Sequence, residues 1–304
     1  WRPWPMPPEN DSRSADVSVI IPAYRAAATI RRALESVAAQ TVKPSEVIVV
    51  DDGSDDATSD AAKACTDLME GIELKVFSQP NRGAGAARNR ALAEARGTYV
   101  AFLDADDEWL AAKLERSMAH LLGTDNVLVA HDGWIVGDGQ ETLNACARRF
   151  REGADPFVQL YRKGYIDTCS VVARRAAIDA AGGFDEDLPN AQDFDLWLKM
   201  VREPGTPFEV FDEPLVRYHA GDGGIMGHTE RRLACCLIIA RRYAPDLCRR
   251  PGSVLVSLAY RVLALHAEAM AAYRKRGRFG ALARTALALP FTLVRTGAWW
   301  KGAR

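Results

Sequence analysis

The feature that most constrains the fold is a buried strand that ends in carboxylates. Tyr99 to Leu103 is an unbroken apolar and aromatic run, the composition of a strand that is buried on both faces. Asp104, Asp106 and Asp107 follow it directly. Carboxylates do not fit inside a buried strand, but they fit at its carboxyl end, which is where ligands bind in open α/β sheets. The stretch therefore predicts a binding site at one edge of an α/β sheet.

Two interpretations of this acidic cluster are open from the stretch alone. In extended backbone, Asp104 and Asp106 would point the same way, and two such carboxylates repel each other unless a cation lies between them. Hard oxygen ligands favour Mg²⁺ or Mn²⁺, which commonly serve substrate phosphates. The alternative is a helix that begins near Trp109, whose dipole would favour acidic residues at its N-terminus.

The first 122 residues alternate between apolar runs and helical patterns, which predicts a parallel, doubly wound sheet. The second run ends, like the fourth, in an acidic cluster, Asp51 to Asp55. The predicted strands are Val17–Ile21, Val47–Val50, Leu74–Phe77 and Tyr99–Leu103. The predicted helices are Thr29–Gln40 with Thr29 as cap, Asp56–Met69, one opened by Asn81–Asn89, and Trp109–Leu122. The predicted fold class is α/β: a mainly parallel, Rossmann-like sheet flanked by helices.

The second half of the chain is less regular. A helix that begins at Gln192 would bury Phe194, Trp197, Leu198 and Val201 and leave Asp193 at its N-terminus. Strands are predicted at Val127–Ala130 and Ser170–Ala173, a helix at Asp155–Lys163, and a pair of edge strands at Phe208–Phe211 and Leu215–His219. From Thr229 the pattern is helical and basic, with breaks near Pro245–Pro251 and at Gly277.

The charge distribution and the cysteine content indicate where in the cell the protein is located. Residues 249–304 hold eleven Lys/Arg and one acid, a net charge of +10, which leaves −11 for residues 1–248. An acidic body with a basic tail suggests an anionic surface as partner. The six cysteines have no CxxC spacing, Trp1 to Asp16 lacks the apolar core of a signal peptide, and no uninterrupted apolar stretch spans a bilayer. We expect a cytoplasmic protein.

Six short motifs in order make a family resemblance specific. They are Ile20-Ile-Pro-Ala-Tyr24, Val49-Val-Asp-Asp-Gly-Ser-Asp-Asp56, Asn81-Arg-Gly with Ala87-Arg-Asn89, Phe102-Leu-Asp-Ala-Asp-Asp107, Gly182-Gly-Phe-Asp185 and Gln192-Asp-Phe-Asp-Leu-Trp197. The series resembles the family 2 glycosyltransferases over about residues 16–220. That resemblance implies a GT-A fold and transfer of a sugar, with inversion, from a nucleotide diphosphate donor.

The resemblance also implies roles for particular residues. It places the nucleotide at Pro22, Ala23, Tyr24, Asp52, Arg88 and Asp104, the divalent metal at Asp106 and His219, and the catalytic base at Asp193. A metal would offset the negative charge that develops on the departing diphosphate. A carboxylate on the far face would accept the proton of the acceptor hydroxyl.

Structural alternatives exist for several of these residues taken singly. Asp52 fits a turn of the Asp-Gly-Ser type, and Asp193 fits a helix cap. Gly83 and Gly85 fit close helix packing, and His219 fits a surface position at a strand end. The ordered set of motifs favours the functional interpretation for Asp52, Asp106 and Asp193.

Two departures from the family pattern refine the expectation. Gln192 stands where the family commonly has Glu before the base, so one charge beside Asp193 is missing. The Gln-x-x-Arg-Trp signature of processive members is absent after Asp193, which favours transfer of one sugar per encounter.

The predicted organisation has three parts: a flexible arm at 1–15, a GT-A catalytic domain at 16–222 and a basic helical C-terminal region at 223–304. Two apolar stripes in the last part, Leu255–Met270 and Phe279–Val294, lie near a basic stretch and precede Trp299 and Trp300. This pattern favours peripheral attachment to an anionic membrane surface on the cytosolic side. The alternative is a helical cap on the catalytic domain. No motif indicates nucleic acid binding.

The sequence thus predicts a non-processive, inverting glycosyltransferase that uses a UDP-sugar or another nucleotide-sugar donor with Mn²⁺ or Mg²⁺. The acceptor would be a glycan or a lipid-linked molecule. The alternative from another class is a non-catalytic nucleotide-sugar-binding or scaffold protein that keeps the same fold.

Overall fold

The computed structural model describes residues 14–137, 139–151, 153, 155–219 and 228–299. Nearly all of the predicted arm at 1–15 lies outside them. The chain divides into two compact units. The first comprises the described parts of Trp1–Ala147, Ile166–Glu186 and Thr206–Ala220, and the second those of Arg148–Tyr165, Asp187–Gly205 and Gly221–Arg304. The boundary between a catalytic domain at 16–222 and a helical region at 223–304 stays a prediction.

The first unit is built on a seven-stranded sheet, in the order β10-β6-β9-β4-β1-β2-β3. Its strands are β1 (Ser14–Ala23), β2 (Lys43–Asp51), β3 (Glu73–Ser78), β4 (Tyr99–Phe102), β6 (Leu128–His131), β9 (Val172–Arg174) and β10 (Glu209–Phe211). All pairs are parallel except those of β9, which runs antiparallel to both β4 and β6. The predicted mainly parallel sheet is confirmed.

Helices flank this sheet because their apolar positions recur at helical spacing and bury one face of each helix. They are α1 (Ile30–Ala38), α2 (Thr58–Lys63), α3 (Ala84–Glu94), α4 (Lys113–Leu121) and α7 (Arg175–Ala180). A short α5 (Cys146–Phe150) begins at the end of the first unit's first segment. Two predicted details are wrong. The Thr29 hydroxyl donates to the Ala26 carbonyl oxygen instead of capping α1. The helix predicted from Trp109 begins at Lys113, because Glu108–Trp109 forms a short strand, β5.

A second, four-stranded sheet in the order β5-β11-β7-β8 completes this unit, with β7 (Gly133–Gly137), β8 (Gln140–Asn144) and β11 (Val216–His219). The predicted pairing of the strands at Phe208–Phe211 and Leu215–His219 is wrong. β10 pairs in parallel with β6, which assigns it to the first sheet, and its buried Phe211 stacks on His120 with ring centroids 4.1 Å apart. Val216 is buried opposite Trp109, which assigns β11 to the second sheet.

The second unit is helical. It contains α6 (Pro156–Lys163), α8 (Gln192–Met200), α9 (Thr229–Tyr243), α10 (Val254–Lys275) and α11 (Phe279–Thr296), with a 3-10 helix at Ala244–Arg249. Asp155 caps α6, because its Oδ1 accepts a hydrogen bond of 3.0 Å from the Val158 N–H. The predicted breaks near Pro245–Pro251 and at Gly277 are confirmed.

The expectation that no segment could span a bilayer needs a correction for α10. Among the described residues, this helix alone is long and apolar enough by length and composition, although 39% of its most apolar window is buried inside the protein. Arg261 and His266, inside the helix, are also buried, and α10 packs against α6, α9 and α11. A core helix of a soluble protein has the same composition, so this is weak evidence for a membrane span.

A buried histidine in β6 should make the stability of the fold depend on pH. His131 is 1% exposed, and burial, together with the nearby Lys113, lowers its pKa to about 3. In the unfolded chain the pKa is about 6.5. The unfolded state then binds more protons between these values, so the free energy of unfolding should fall as pH drops from 6.5 toward 3. Urea unfolding at pH 7, 6 and 5 measures this slope.

His131→Asn cannot titrate there and keeps a donor for the Asp132 carbonyl oxygen, which lies 2.7 Å from the His131 Nδ1 atom. We expect this variant to be less stable at pH 7 but flatter between pH 7 and 5. His228→Asn, at an exposed histidine, is the matched control and should keep the wild-type slope. Parallel profiles for wild type and His131→Asn would contradict the prediction.

Candidate active site

The carboxyl ends of β4, β1 and β2 lie side by side at one edge of the seven-stranded sheet. Ala23 pairs with Asp51, and the Asp52 N–H donates to the Ala23 carbonyl oxygen over 2.8 Å. On the other side of β1, the Leu103 N–H donates to the Ile20 carbonyl oxygen over 3.0 Å. The predicted edge is therefore confirmed, because the segments that follow these three parallel strands emerge next to each other.

Two loops at this edge are braced to each other. The Arg25 guanidinium forms a bidentate pair with Asp55 over two contacts of 2.7 Å, and its N–H donates to the Ser54 hydroxyl at 2.9 Å. Arg25 has a φ of +50°, which is uncommon for a residue other than glycine. Its guanidinium lies 5.2 Å from the centroid of the Tyr24 ring, which is 47% exposed. The brace therefore presents an exposed aromatic face at the sheet edge.

Asp52 is engaged by its own chain. It is 2% exposed, and its carboxylate accepts hydrogen bonds from Gln79 Nε2 (2.8 Å), the Arg82 N–H (2.9 Å) and the Gly83 N–H (2.7 Å). Gly83 precedes α3 with a φ of +92°. A carboxylate has about four acceptor sites, so one is left for a ligand. The geometry favours a positioning role for Asp52 toward the loop at 79–83, and contact with a nucleobase stays a prediction.

Gly53 explains why this loop can approach so closely. Its φ is +74°, and a Cβ at this position would lie 2.7 Å from the backbone nitrogen of Asn81. Only glycine avoids both the strained backbone and this collision. The Asp-Gly pair at 52–53 thus allows the 79–83 loop to reach the Asp52 carboxylate.

The acidic segment after β4 forms a turn. The Asp107 N–H donates to the Asp104 carbonyl oxygen over 3.1 Å, so the expectation of extended backbone from Asp104 to Asp106 is wrong. The three carboxylates of this turn differ in how far they are exposed to solvent. Asp106 is exposed, the Asp104 side chain is 35% exposed and Asp107 is 6% exposed.

Asp104, Asp107 and Cys169 form a cluster in which one ligand atom of each lies within 4.8 Å of the others. Asp107 accepts hydrogen bonds from the Cys169 thiol (3.2 Å) and the His219 N–H (2.9 Å). Burial, together with the neighbouring carboxylates of Asp104 and Asp106, raises the pKa of Asp107 to about 8. Sequence reasoning missed Cys169, which no motif distinguishes.

The neighbouring carboxylates also change the pKa of Asp106. Partial desolvation, followed by repulsion from Asp104, raises the pKa of Asp106. Carboxylates held this close gain from a divalent cation, and their oxygen atoms are the hard ligands that Mg²⁺ and Mn²⁺ prefer. Burial raises the pKa of the Cys169 thiol well above its ordinary value, which suits a hydrogen-bond donor better than a metal ligand. The carboxylates of the turn therefore fit a divalent metal.

Arg88 supplies a cation at the same place. It is 5% exposed, its Nη2 lies 2.6 Å from Asp104 Oδ1, and its guanidinium lies 5.5 Å from the ring centroid of Phe184. Asn89 holds Phe184 in position through two hydrogen bonds of 2.9 Å to its backbone. Two of the six motifs, on α3 and at Gly182–Asp185, thus meet in space beside the acidic turn.

His219 ends β11 next to this turn. Its side chain is 27% exposed, and its Nε2 lies 3.6 Å from Glu108 Oε1. Its N–H donates to Asp107 Oδ1 over 2.9 Å. The structure brings His219 near the acidic turn, and its role as a metal ligand stays a prediction.

Asp193 belongs to the second unit, at the start of α8. It is half-buried, and its Oδ1 accepts a 2.7 Å hydrogen bond from the Phe194 N–H. Ala191, just before the helix, has a φ of +59°, a left-handed conformation of the kind found at functional sites. The predicted burial of the face with Trp197 is confirmed, since this side chain is 0% exposed.

Asp195, two residues further along α8, is more buried than Asp193. Its side chain is 0% exposed, and it pairs with Arg242 (2.6 Å) and Lys199 (3.1 Å). The Tyr243 hydroxyl adds a contact of 3.1 Å. Asp195 therefore joins α8 to α9 as a structural group, and Asp193 is the more accessible carboxylate of the two.

The sequence profile described as Glycosyl transferase family 2 matches residues 18–180. This chain belongs to that family. It is 32% identical over 210 residues to the amylovoran biosynthesis glycosyltransferase AmsB of Erwinia amylovora, a match that covers 66% of this chain and 69% of AmsB. Other curated relatives, from Rickettsia, are much longer, and the chain spans only 36%, 32% and 36% of three of them.

Solved structures show the same fold. The S. aureus TarS 1–349 complex with UDP-GlcNAc superposes with a TM-score of 0.64 at 20% identity, covering 82% of this chain and 71% of that one. The mannosyltransferase PcManGT from Pyrobaculum calidifontis, in complex with GDP-Man and Mn²⁺, gives 0.60 at 22% identity, covering 99% and 88%. The family 2 membership and the GT-A type of fold predicted from the motifs are confirmed.

Proposed function

We propose that this family 2 member is a metal-dependent, inverting glycosyltransferase that moves one sugar per encounter from a nucleotide diphosphate donor. The observation that carries the proposal is the acidic turn at Asp104–Asp107, with Arg88 held 2.6 Å from Asp104, at the edge of the sheet where Tyr24 is exposed. An aromatic face, a cation and hard oxygen ligands are what a nucleotide diphosphate with its metal requires.

The carboxylates of Asp104 and Asp106 would hold a divalent metal, with His219 at its side. When bound, Mn²⁺ or Mg²⁺ supplies positive charge where the diphosphate gains negative charge as it leaves. Asp107 would position the neighbouring residues rather than bind the metal, because both of its oxygen atoms already accept hydrogen bonds. The PcManGT complex with Mn²⁺ supports a metal-dependent reaction here.

The nucleobase would stack against Tyr24, beside the backbone of Pro22 and Ala23. Arg25 and Asp55 would hold the Tyr24 loop in its binding position, since they brace it to the next loop. The remaining acceptor site of Asp52 would face the base, and Arg88 would serve the nucleotide side of the site with Asp104. The TarS complex with UDP-GlcNAc supports a UDP-sugar as donor.

Asp193 would act as the general base. A carboxylate accepts the proton of the acceptor hydroxyl as this oxygen attacks the anomeric carbon, and a single displacement inverts the configuration there. The helix start holds one oxygen of Asp193 through the Phe194 N–H, which fixes the orientation of the carboxylate.

The acceptor would be a glycan or a lipid-linked molecule in the cytoplasm, in line with the polysaccharide named for the Erwinia relative. The catalytic domain would extend over 16–222, and the basic region 223–304 would attach to the cytosolic face of a membrane. Gln192 next to Asp193 is the observation that favours the alternative, a nucleotide-sugar-binding protein without turnover.

Donor binding is the first test of this proposal. Purified full-length protein with Mn²⁺ should show a raised melting temperature with one class of UDP- or GDP-sugar. At a ligand concentration 100 times the dissociation constant, the stabilisation is about 2.7 kcal/mol, a shift of several degrees. The matched control is the same sugar as its 1-phosphate, without the nucleoside. No shift with any nucleotide sugar in the presence of metal would contradict the proposal.

A further inference from the structure

The outer face of α11 carries large apolar side chains that are exposed among the residues the structure describes. Phe279, Leu287, Phe291 and Val294 are 67%, 72%, 74% and 81% exposed. Leu287, Phe291 and Val294 follow the i, i+4, i+7 spacing of one helical face, and Phe279 lies two turns earlier on the same face. The helix is about 27 Å long, so the strip of apolar side chains is long as well as continuous.

The opposite face of α11 is buried against α10. Ala281, Thr285 and Thr296 are buried, and α11 packs along α10. Tyr273 of α10 belongs to the same small apolar cluster as Ala281. The helix is therefore fixed to its bundle by one face and turns the apolar strip outward. Scattered apolar residues on a surface are ordinary, but a continuous strip marks a site of interaction.

Positive charges from the same stretch of chain flank this strip. Arg284 and Arg295 lie three turns apart on one side of the strip and are exposed. Arg274 and Lys275, at the end of α10, and Arg278, just before α11, are also exposed. From Ala269 to Trp299 the sequence contains neither Asp nor Glu. A partner for this surface must therefore be apolar along the middle and negatively charged beside it.

A second copy of this chain does not meet that requirement. A symmetric dimer through the strip would set the arginines of one copy close to those of the other, which is unfavourable. An anionic bilayer surface does meet it, because a helix lying in the interface buries its apolar face among the acyl chains and leaves its cations with the headgroups. The charge pattern thus selects one kind of partner.

We propose that α11 is a membrane-surface helix that lies flat on an anionic leaflet. Phe279, Leu287, Phe291 and Val294 enter the acyl boundary, and Arg284 and Arg295 bind lipid phosphates. The proposal assigns the attachment predicted for the whole basic region to one face of one helix, and α10 stays in the bundle. It does not depend on the proposed transferase activity, because membrane binding is measured without any sugar donor.

The test is flotation of the full chain with vesicles of phosphatidylcholine, with and without about 30% phosphatidylglycerol. We expect binding only to the anionic vesicles, weakened at high salt, because exposed charges are screened. Arg284→Gln with Arg295→Gln should lower the partition coefficient about 5-fold per residue, because each cation near the surface contributes about 1 kcal/mol. Leu287→Glu with Phe291→Glu should lower it at least about 30-fold, since two inserted side chains are lost.

Ile238→Ser, at a 52% exposed apolar residue of α9, is the matched control and should float like wild type. Thermal melts of each variant check that it folds, and the arginine pair is safe in this respect because both side chains are exposed. Light scattering measures whether the protein forms a dimer, which is the result expected if a second copy of this chain covers the strip. Equal flotation of wild type and both double variants would overturn the proposal. A second result would also overturn it: wild type does not bind the vesicles but forms a dimer, and Leu287→Glu with Phe291→Glu dissociates that dimer.

Discussion

Replacing Asp193 by asparagine should lower kcat by about 10²- to 10⁴-fold, the range that a positioned general base contributes. Asparagine has nearly the same shape and can still accept from the Phe194 N–H, but it cannot take a proton from the acceptor hydroxyl. Donor binding should be unchanged, since the base acts on the acceptor. The measurement is initial-rate kinetics with the donor found by thermal shift, together with calorimetry of UDP binding.

Two further variants make this result specific. Asp187→Asn, at an exposed carboxylate just before α8, should keep the wild-type rate. Asp195→Asn should instead destabilise the fold, because it leaves Arg242 without the buried carboxylate that it pairs with. Wild-type turnover in Asp193→Asn would mean that another group is the base. Donor binding without turnover in the wild-type protein, across a broad set of acceptors, would favour the non-catalytic alternative.

UDP should bind the wild-type protein about 100-fold more tightly with Mn²⁺ than with EDTA, because a divalent metal at phosphate oxygens is worth several kcal/mol. Asp106→Ala should remove most of this difference, and Asp104→Ala should do so as well. Calorimetry with Mn²⁺ and with EDTA measures the two UDP affinities of wild type and of each variant.

Asp60→Asn, an exposed carboxylate on α2, is the control and should keep the full metal effect. Asp107 is less useful as a test, since its substitution also removes the hydrogen bonds to Cys169 and His219. A wild-type protein that binds UDP equally well with Mn²⁺ and EDTA would exclude the metal role. A metal effect that survives Asp106→Ala but not Asp104→Ala would assign the metal to the other carboxylate.

The central strands of the sheet, such as β2 and β4, were predictable because they are buried on both faces. Such strands need continuous apolar runs, and Val47–Val50 and Tyr99–Leu103 are of that kind. The sheet edge was predictable for the same reason, since carboxylates can only follow the runs. The β7–β8 hairpin was missed, although Asp138-Gly139 between two runs is a known turn signal.

The finer geometry depends on contacts between distant residues, which local patterns do not contain. Asp104 and Asp107 come together because a turn replaces extended backbone, and Cys169 joins them from 62 positions further along the chain. Likewise, the carboxylate of Asp52 looked free for a ligand in the sequence but accepts three hydrogen bonds from residues 79–83. The two edge strands were wrongly paired because their partners are distant in sequence: Glu209 of β10 pairs with Val129 of β6, and Val216 of β11 pairs with Trp109 of β5.

The position of β9 has a consequence for how this protein is made. Within the seven-stranded sheet, β6 pairs only with β9 and β10, and both are synthesised after it. About 40 residues separate His131 from Val172, so at 5–20 residues per second the ribosome needs roughly 2–8 s to deliver the missing strand. During that time β4 presents an open edge to any neighbouring nascent chain. Slow codons between β6 and β9 should therefore raise aggregation, whereas slow codons after β10 should not.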